Sequence, residues 1–208
     1  MTKRLVLGYT TKPISTMKTT FFLLPLAVAL LACGGNDSDS KAEKANEKRI
    51  DQQATGISDD AKKEAKQTAE GMVELASMSM TSYELSQLAA KQATNPDVKA
   101  YARQAMQKYV ANEKQTRELA QNLRLVLPTE LSKEGRDRIE DLREEKPGTA
   151  FDLKYLEEIG KVTDKAADVA DDLADDAPND QVREFANRLK KENKESRDRA
   201  RQIRNVLN

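Results

Sequence analysis

Histidine is absent from this chain and cysteine occurs once, at Cys33, so the usual general bases and nucleophiles are largely missing from the start. Residues able to do chemistry fall into three sets. The first is Cys33 itself. The second is a set of candidate acids, Glu84, Glu113 and Asp164, which could offer carboxylates to a metal. The third is a set of hydrogen-bonding side chains, Tyr109, Asn112, Asn193 and Ser196, placed halfway along two look-alike stretches, with Thr163 on a third. A carboxylate-bridged di-iron centre needs glutamates together with Glu-x-x-His pairs, and no such pair exists without histidine. Hydroxyls and amides instead favour a polar layer whose members bond to one another or to trapped water. The eight glycines are scattered and form no phosphate-cradling loop.

The look-alike stretches begin at Asn95 and at Asn179, 84 positions apart. Each opens with a helix-capping asparagine, and Pro96 stands where a first-turn proline is tolerated. Each carries a seam at alternating steps of four and three. In the first, the seam is Val98, Ala102, Ala105, Tyr109, Asn112, Thr116, Leu119 and Leu123; in the second it is Val182, Ala186, Leu189, Asn193, Ser196, Ala200, Ile203 and Leu207. Both seams are apolar at the ends and polar in the middle. The repeat extends upstream, pairing Met72, Leu75, Ser79 and Ala89 with Leu156, Ile159, Thr163 and Leu173 at the same separation.

Helices must position these residues. Ser58-Asp59-Asp60 is a capped, acidic helix start, and the pattern predicts a helix from there to about Ala93. The next helix follows Asn95-Pro96 so closely that the two form an antiparallel hairpin. It is expected to end near Leu127-Pro128, because proline disfavours helix in the preceding residue. A short helix around 136–144 places Ile139 and Leu142 inward, and Pro147-Gly148 closes the link. A third long helix from about Ala150 to Leu173 and a fourth after Pro178-Asn179 make a second hairpin. The link is long enough to run from one end of the bundle to the other. The expected fold is all-α: a ferritin-like four-helix bundle of two hairpins with one long crossover carrying a short helix. Aspartates of the third helix, from Asp164 to Asp176, face a fourth helix rich in arginine and lysine, and this reads as paired, solvated faces rather than a cation cage. Four methionines between Met72 and Met106 read as adaptable core packing.

The N-terminus reads as an export signal, residues 1–32, followed by a lipidated cysteine and flexible tether, 33–57, and the bundle domain, 58–208. Lys18 precedes an apolar run from Phe21 to Leu31, too short to span a bilayer. The run ends in Leu30-Leu31-Ala32-Cys33, which resembles the bacterial lipobox, whose cysteine is acylated and becomes the first residue of the mature chain. Gly34 in the next position is not the aspartate that marks inner-membrane retention. The expected address is therefore lipid-anchored on the outer membrane, facing the periplasm. The tether, polar and nearly free of apolar residues, is expected to be solvated, with no face to bury. The first 32 residues hold four basic residues and no acid, so the remainder carries 31 basic against 35 acidic residues, a balance of −4. That leaves no basic stripe for nucleic acid.

Between Met72 and Leu207 the segments Tyr83-Glu84-Leu85-Ser86-Gln87-Leu88-Ala89, Asn95-Pro96-Asp97-Val98-Lys99-Ala100-Tyr101-Ala102, Phe151-Asp152-Leu153-Lys154-Tyr155-Leu156 and Val182-Arg183-Glu184-Phe185-Ala186 resemble the domain-of-unknown-function 4142 family, a ferritin-like group of bacterial exported proteins. The resemblance implies histidines in the middle of the second, third and fourth helices. Tyr109, Thr163 and Ser196 occupy those positions here. The expectation is a non-enzymatic lipoprotein with no cofactor, whose inherited metal site has been lost. It would serve as an envelope structural, stress or interaction module with a protein partner as yet unidentified. The alternative is a carboxylate-based binder of a divalent metal or small ligand.

Overall fold

The computed structural model describes residues 37–53 and 56–207; the segment read as an export signal and Cys33 lie outside them. Six helices follow one another: α1 (Ser38–Gln53), α2 (Asp59–Gln92), α3 (Pro96–Asn122), α4 (Lys133–Glu144), α5 (Thr149–Asp176) and α6 (Asp180–Leu207). Among the described residues no helix is long and apolar enough to cross a membrane.

Local chemistry sets the boundaries. Ser58 caps α2 by accepting from the Ala61 amide, and Asn95 caps α3 by accepting from Asp97 and Val98 with Pro96 in the first turn. Ser132 caps α4 through the Gly135 amide at 3.0 Å. The α2–α3 and α5–α6 turns are tight, so each pair is an antiparallel hairpin. Leu123 and Leu125, at the end of α3, share a pocket with Pro178 of the α5–α6 turn. The start of α5 instead meets the α2–α3 turn, where Asp152 accepts from the Thr94 and Asn95 amides at 2.8–3.2 Å. The link carrying α4 therefore spans the bundle end to end. This is the two-hairpin, one-crossover connectivity of ferritin-like bundles.

α2 is the central element, packing against α1, α3, α4 and α5, while α6 closes the bundle against α5 and α3. The core includes Met72, Leu85, Val98, Phe151, Leu156, Ile159 and Val182, all essentially without exposure. α4 seats Ile139 and Leu142 on it and approaches α2 through Gly135. A methyl group there would sit 2.4 Å from Thr81 Oγ1, closer than atoms can pack, so any larger residue would force Thr81 or α4 to shift. The basic face of α6 does meet the acids of α5: Lys190 with Asp171, Arg197 with Asp164 at 2.6 Å, and Arg201 with Asp164 at 3.5 Å.

Two expectations are corrected. The segment expected to be a solvated tether contains α1, which buries Ala42, Asn46 and Ile50. Those residues fall four apart, one stripe of a helix. Asn46 is fully buried and grips the link, its Nδ2 donating to Val126 O at 2.8 Å and its Oδ1 accepting from Val126 N at 2.7 Å. The same clasp accounts for the second correction, because α3 ends at Asn122 rather than near Leu127. Arg124 turns left-handed with φ 56°, and the Leu125 amide reaches back to Ala120 O at 2.7 Å, the pattern of a Schellman stop. The freed backbone of Val126 then bonds to α1. Replacing Asn46 with alanine is expected to cost about 1–2 kcal/mol, the usual loss for a buried polar pair. The loss should be local. Hydrogen exchange is expected to show protection falling in residues 38–53 and 123–127 while α5 and α6 keep theirs.

Candidate functional site

Hydroxyl groups from all four bundle helices meet inside the fold, on the side of mid-height nearer the α2–α3 turn. α2 supplies Ser82 and Ser86, α3 supplies Tyr101 and Tyr109, α5 supplies Tyr155, and α6 supplies Ser196; all are buried. Tyr155 Oη and Ser86 Oγ are 3.0 Å apart. Tyr101 Oη donates to Ser196 O at 3.1 Å and lies 2.9 Å from Ser196 Oγ. The Tyr101 and Tyr155 rings are tilted against each other with centroids 6.1 Å apart. The Tyr109 hydroxyl is buried without a partner at bonding geometry, although Ser82 and Ser196 lie close by.

Electrostatics keep these phenols neutral. Burial pushes Tyr109 up to about 12, opposed by the Ser82 and Ser196 hydroxyls. Tyr155 and Tyr101 are raised further, first by burial and then by their tyrosine neighbours. A neutral phenol donates and accepts hydrogen bonds, but it is a weak metal ligand.

This layer differs from the expected one. Of Tyr109, Asn112, Thr163, Asn193 and Ser196, four are buried and Asn193 is half-buried, yet the five do not bond to one another. Asn112 instead ties α3 to α6, its Nδ2 donating to Glu192 Oε2 at 3.0 Å and its Oδ1 accepting from Arg188 at 3.1 Å. Thr163 bonds back to Ile159 O at 2.8 Å, and Asn193 to Leu189 O at 2.9 Å. Both satisfy themselves within their own helix. Of the five, Ser196 alone bonds to another hydroxyl of the interior, that of Tyr101. Tyr101, Tyr155, Ser82 and Ser86 escape a seam drawn one residue wide, because a bundle helix buries a broader stripe. The available signal was spacing: Ser82 and Ser86 are four apart beside Leu85 and Ala89, and Tyr155 falls midway between Phe151 and Ile159.

The acids do not converge. Glu84 and Glu113 line a cleft of about 470 Å³ between α2 and α3, with Tyr83, Met80 and Glu130, and Glu113 is paired with Arg117 at 2.6 Å. Asp164 is held by arginines of α6 on another face. Among the described residues no three acids are arranged to hold one ion. A di-iron centre at mid-bundle does not fit the donors present there, which are uncharged hydroxyls.

Two paired substitutions distinguish a bonded hydroxyl from an orphaned one. Tyr155→Phe is expected to cost about 1–2 kcal/mol, since Ser86 loses its buried partner. Tyr109→Phe is expected to be neutral or to stabilise by up to about 1 kcal/mol, since it removes an unpartnered buried donor. Denaturant midpoints of the two variants, measured side by side, check this.

The fold thus defines a class, an all-α helical bundle with ferritin-like connectivity and a layer of uncharged hydroxyls within its apolar core. Residues 52–203 match the family described as "Domain of unknown function (DUF4142)", and the chain belongs to that family. No curated protein matches the chain, and no solved structure does.

Proposed function

We propose that the chain is a non-enzymatic lipoprotein of the bacterial envelope, exported, acylated on Cys33 and held on the outer membrane facing the periplasm. Its bundle serves as a structural, stress-related or protein-binding module rather than as a metal centre. The observation that carries this reading is the donor chemistry of the interior. Where a ferritin-like bundle would place carboxylates and histidines, tyrosines kept protonated by burial and serine hydroxyls stand instead. The address rests on Leu30-Leu31-Ala32-Cys33.

Mass spectrometry of the N-terminal peptide tests the anchor. An acylated peptide beginning at Cys33 is expected, with Cys33→Ala released from the membrane fraction; an unmodified Cys33 in a soluble protein would overturn it. Cross-linking in intact cells, followed by purification from membranes, identifies a partner if one recurs.

A second reading has one observation in its favour. Glu84, Glu113 and Glu130 line one cleft; as they stand they are not arranged to hold one ion, but a divalent cation or small cationic ligand entering the cleft would find their carboxylates at its wall. Metal analysis of protein purified without chelator decides it. Stoichiometric metal that Glu84→Gln removes supports the cleft, whereas trace metal unaffected by that change rules it out.

A further inference from the structure

α1 segregates its charges. Its acids keep to the flank beside α2: Asp39 and Glu43 are half-buried, and Glu47 and Asp51, though exposed, both pair with Lys66 of α2, at 3.2 and 2.9 Å. Burial raises the carboxyls of Asp39 and Glu43, and like-charged neighbours raise them further. Lys41, Lys44 and Lys48 are all exposed. At 100° per residue they form a ridge opposite the buried stripe of Ala42, Asn46 and Ile50. None of the three makes an ion pair among the described residues. α1 also lies almost wholly before the segment that matches the family, which begins at residue 52.

The anchor adds a geometric constraint. Asp37 is fixed to the fold, its Oδ1 accepting from the Lys133 amide at 2.7 Å. Only Gly34, Gly35 and Asn36 separate it from Cys33, and four peptide steps span at most about 14 Å. A single helix is about 10 Å across. That reach takes the acyl chains from the start of α1 to a surface alongside it, but not around a bundle several helices thick.

We infer that α1 is a membrane-facing helix, with Lys41, Lys44 and Lys48 lying against the anionic phospholipid head groups of the membrane that holds the Cys33 anchor. The inference rests on the lipoprotein reading above. Each lysine near such a surface is drawn to it, and the attraction is screened by salt. The bundle is thereby held with one fixed side toward the lipid and α6 away from it.

The test uses the full-length lipoprotein, purified in detergent and reconstituted into vesicles of phosphatidylethanolamine and phosphatidylglycerol. Acylated Cys33 has no free thiol, so a single introduced cysteine carries the label. Fluorophores at Lys44→Cys on α1 and at Glu195→Cys, exposed on α6, are compared for quenching by lipids brominated near the head group. Several-fold stronger quenching at position 44 is expected. The difference should shrink in high salt and in a Lys41→Glu, Lys48→Glu background, with the protein still membrane-bound. Equal quenching at both positions in membrane-bound protein would overturn the orientation alone. Equal quenching in phosphatidylcholine and in anionic vesicles would overturn the head-group contact. Protein that stays out of the vesicle fraction altogether would overturn the anchor on which both depend.

Discussion

Asp152→Ala is expected to destabilise the bundle by about 2–4 kcal/mol, the range for stripping a buried charged acceptor from several donors. Asp152 is 1% exposed. Its carboxylate accepts from the Thr94 amide at 3.0 Å, the Thr94 hydroxyl at 2.8 Å and the Asn95 amide at 2.8 Å. Those donors belong to the α2–α3 turn, while Asp152 sits in the first turn of α5, where a negative charge also suits the helix dipole. One side chain therefore fastens the first hairpin to the second at the end where the crossover delivers α5. Asp152→Asn tests geometry against charge. An amide keeps one acceptor but turns two hydrogens toward the same donors, so it is expected to recover less than half of the loss. Equilibrium denaturation of both variants measures the difference; an alanine variant as stable as the parent would refute the latch.

Glu158→Ala is expected to cost about 1–3 kcal/mol at neutral pH, since it removes a buried carboxylate from three partly exposed cations. Glu158 is 4% exposed and receives Arg138 of α4 at 2.5 Å, Lys161 at 3.0 Å and Lys154 at 3.6 Å. Burial by itself would raise this carboxyl. The hydrogen bonds and charges of Lys161 and Arg138 outweigh that effect and hold it below its ordinary value of 4.5. The sign of the pH dependence follows from linkage. A carboxyl lowered on folding contributes its stability fully above its unfolded value and loses it as pH falls through the folded one. The gap between parent and Glu158→Ala should accordingly be constant from pH 7 down to about 5 and narrow below its ordinary value. Denaturation curves across that range check it. A gap that widens on acidification would contradict the assignment. The crossover helix is expected to loosen first, because Glu158 supplies its closest ionic tie to α5, the other being Glu134 with Lys165 at 3.9 Å.

The hairpins were legible because their signals are local. Asn95-Pro96 and Pro178-Asn179 leave no length for anything but an antiparallel return, and Ser58 caps the helix its neighbours predict. The crossover was legible from Pro128, from Pro147-Gly148, and from Ile139 and Leu142 between them. α1 was not. Ala42, Asn46 and Ile50 are too few and too weakly apolar to outweigh their charged neighbours, and the residue that secures the helix, Asn46, finds its partner 80 positions away at Val126. The same long-range bond draws the chain out of α3 several residues before proline would. The interior polar layer was half legible. Its existence followed from the polar centres of the two seams, but its members did not. Asn112, Thr163 and Asn193 satisfy themselves against neighbouring charges or their own helices, leaving Ser196 to Tyr101 and Ser86 to Tyr155.

The chain has no tryptophan and five tyrosines, and three of those, Tyr101, Tyr109 and Tyr155, stand together in the bundle's interior. Its near-ultraviolet emission and circular dichroism therefore come in large part from the core rather than from the surface. Excited near 275 nm, the untagged protein reports the integrity of its own centre. Loss of helix packing, binding in the adjoining α2–α3 cleft or oxidation of a phenol would each be visible without an added probe.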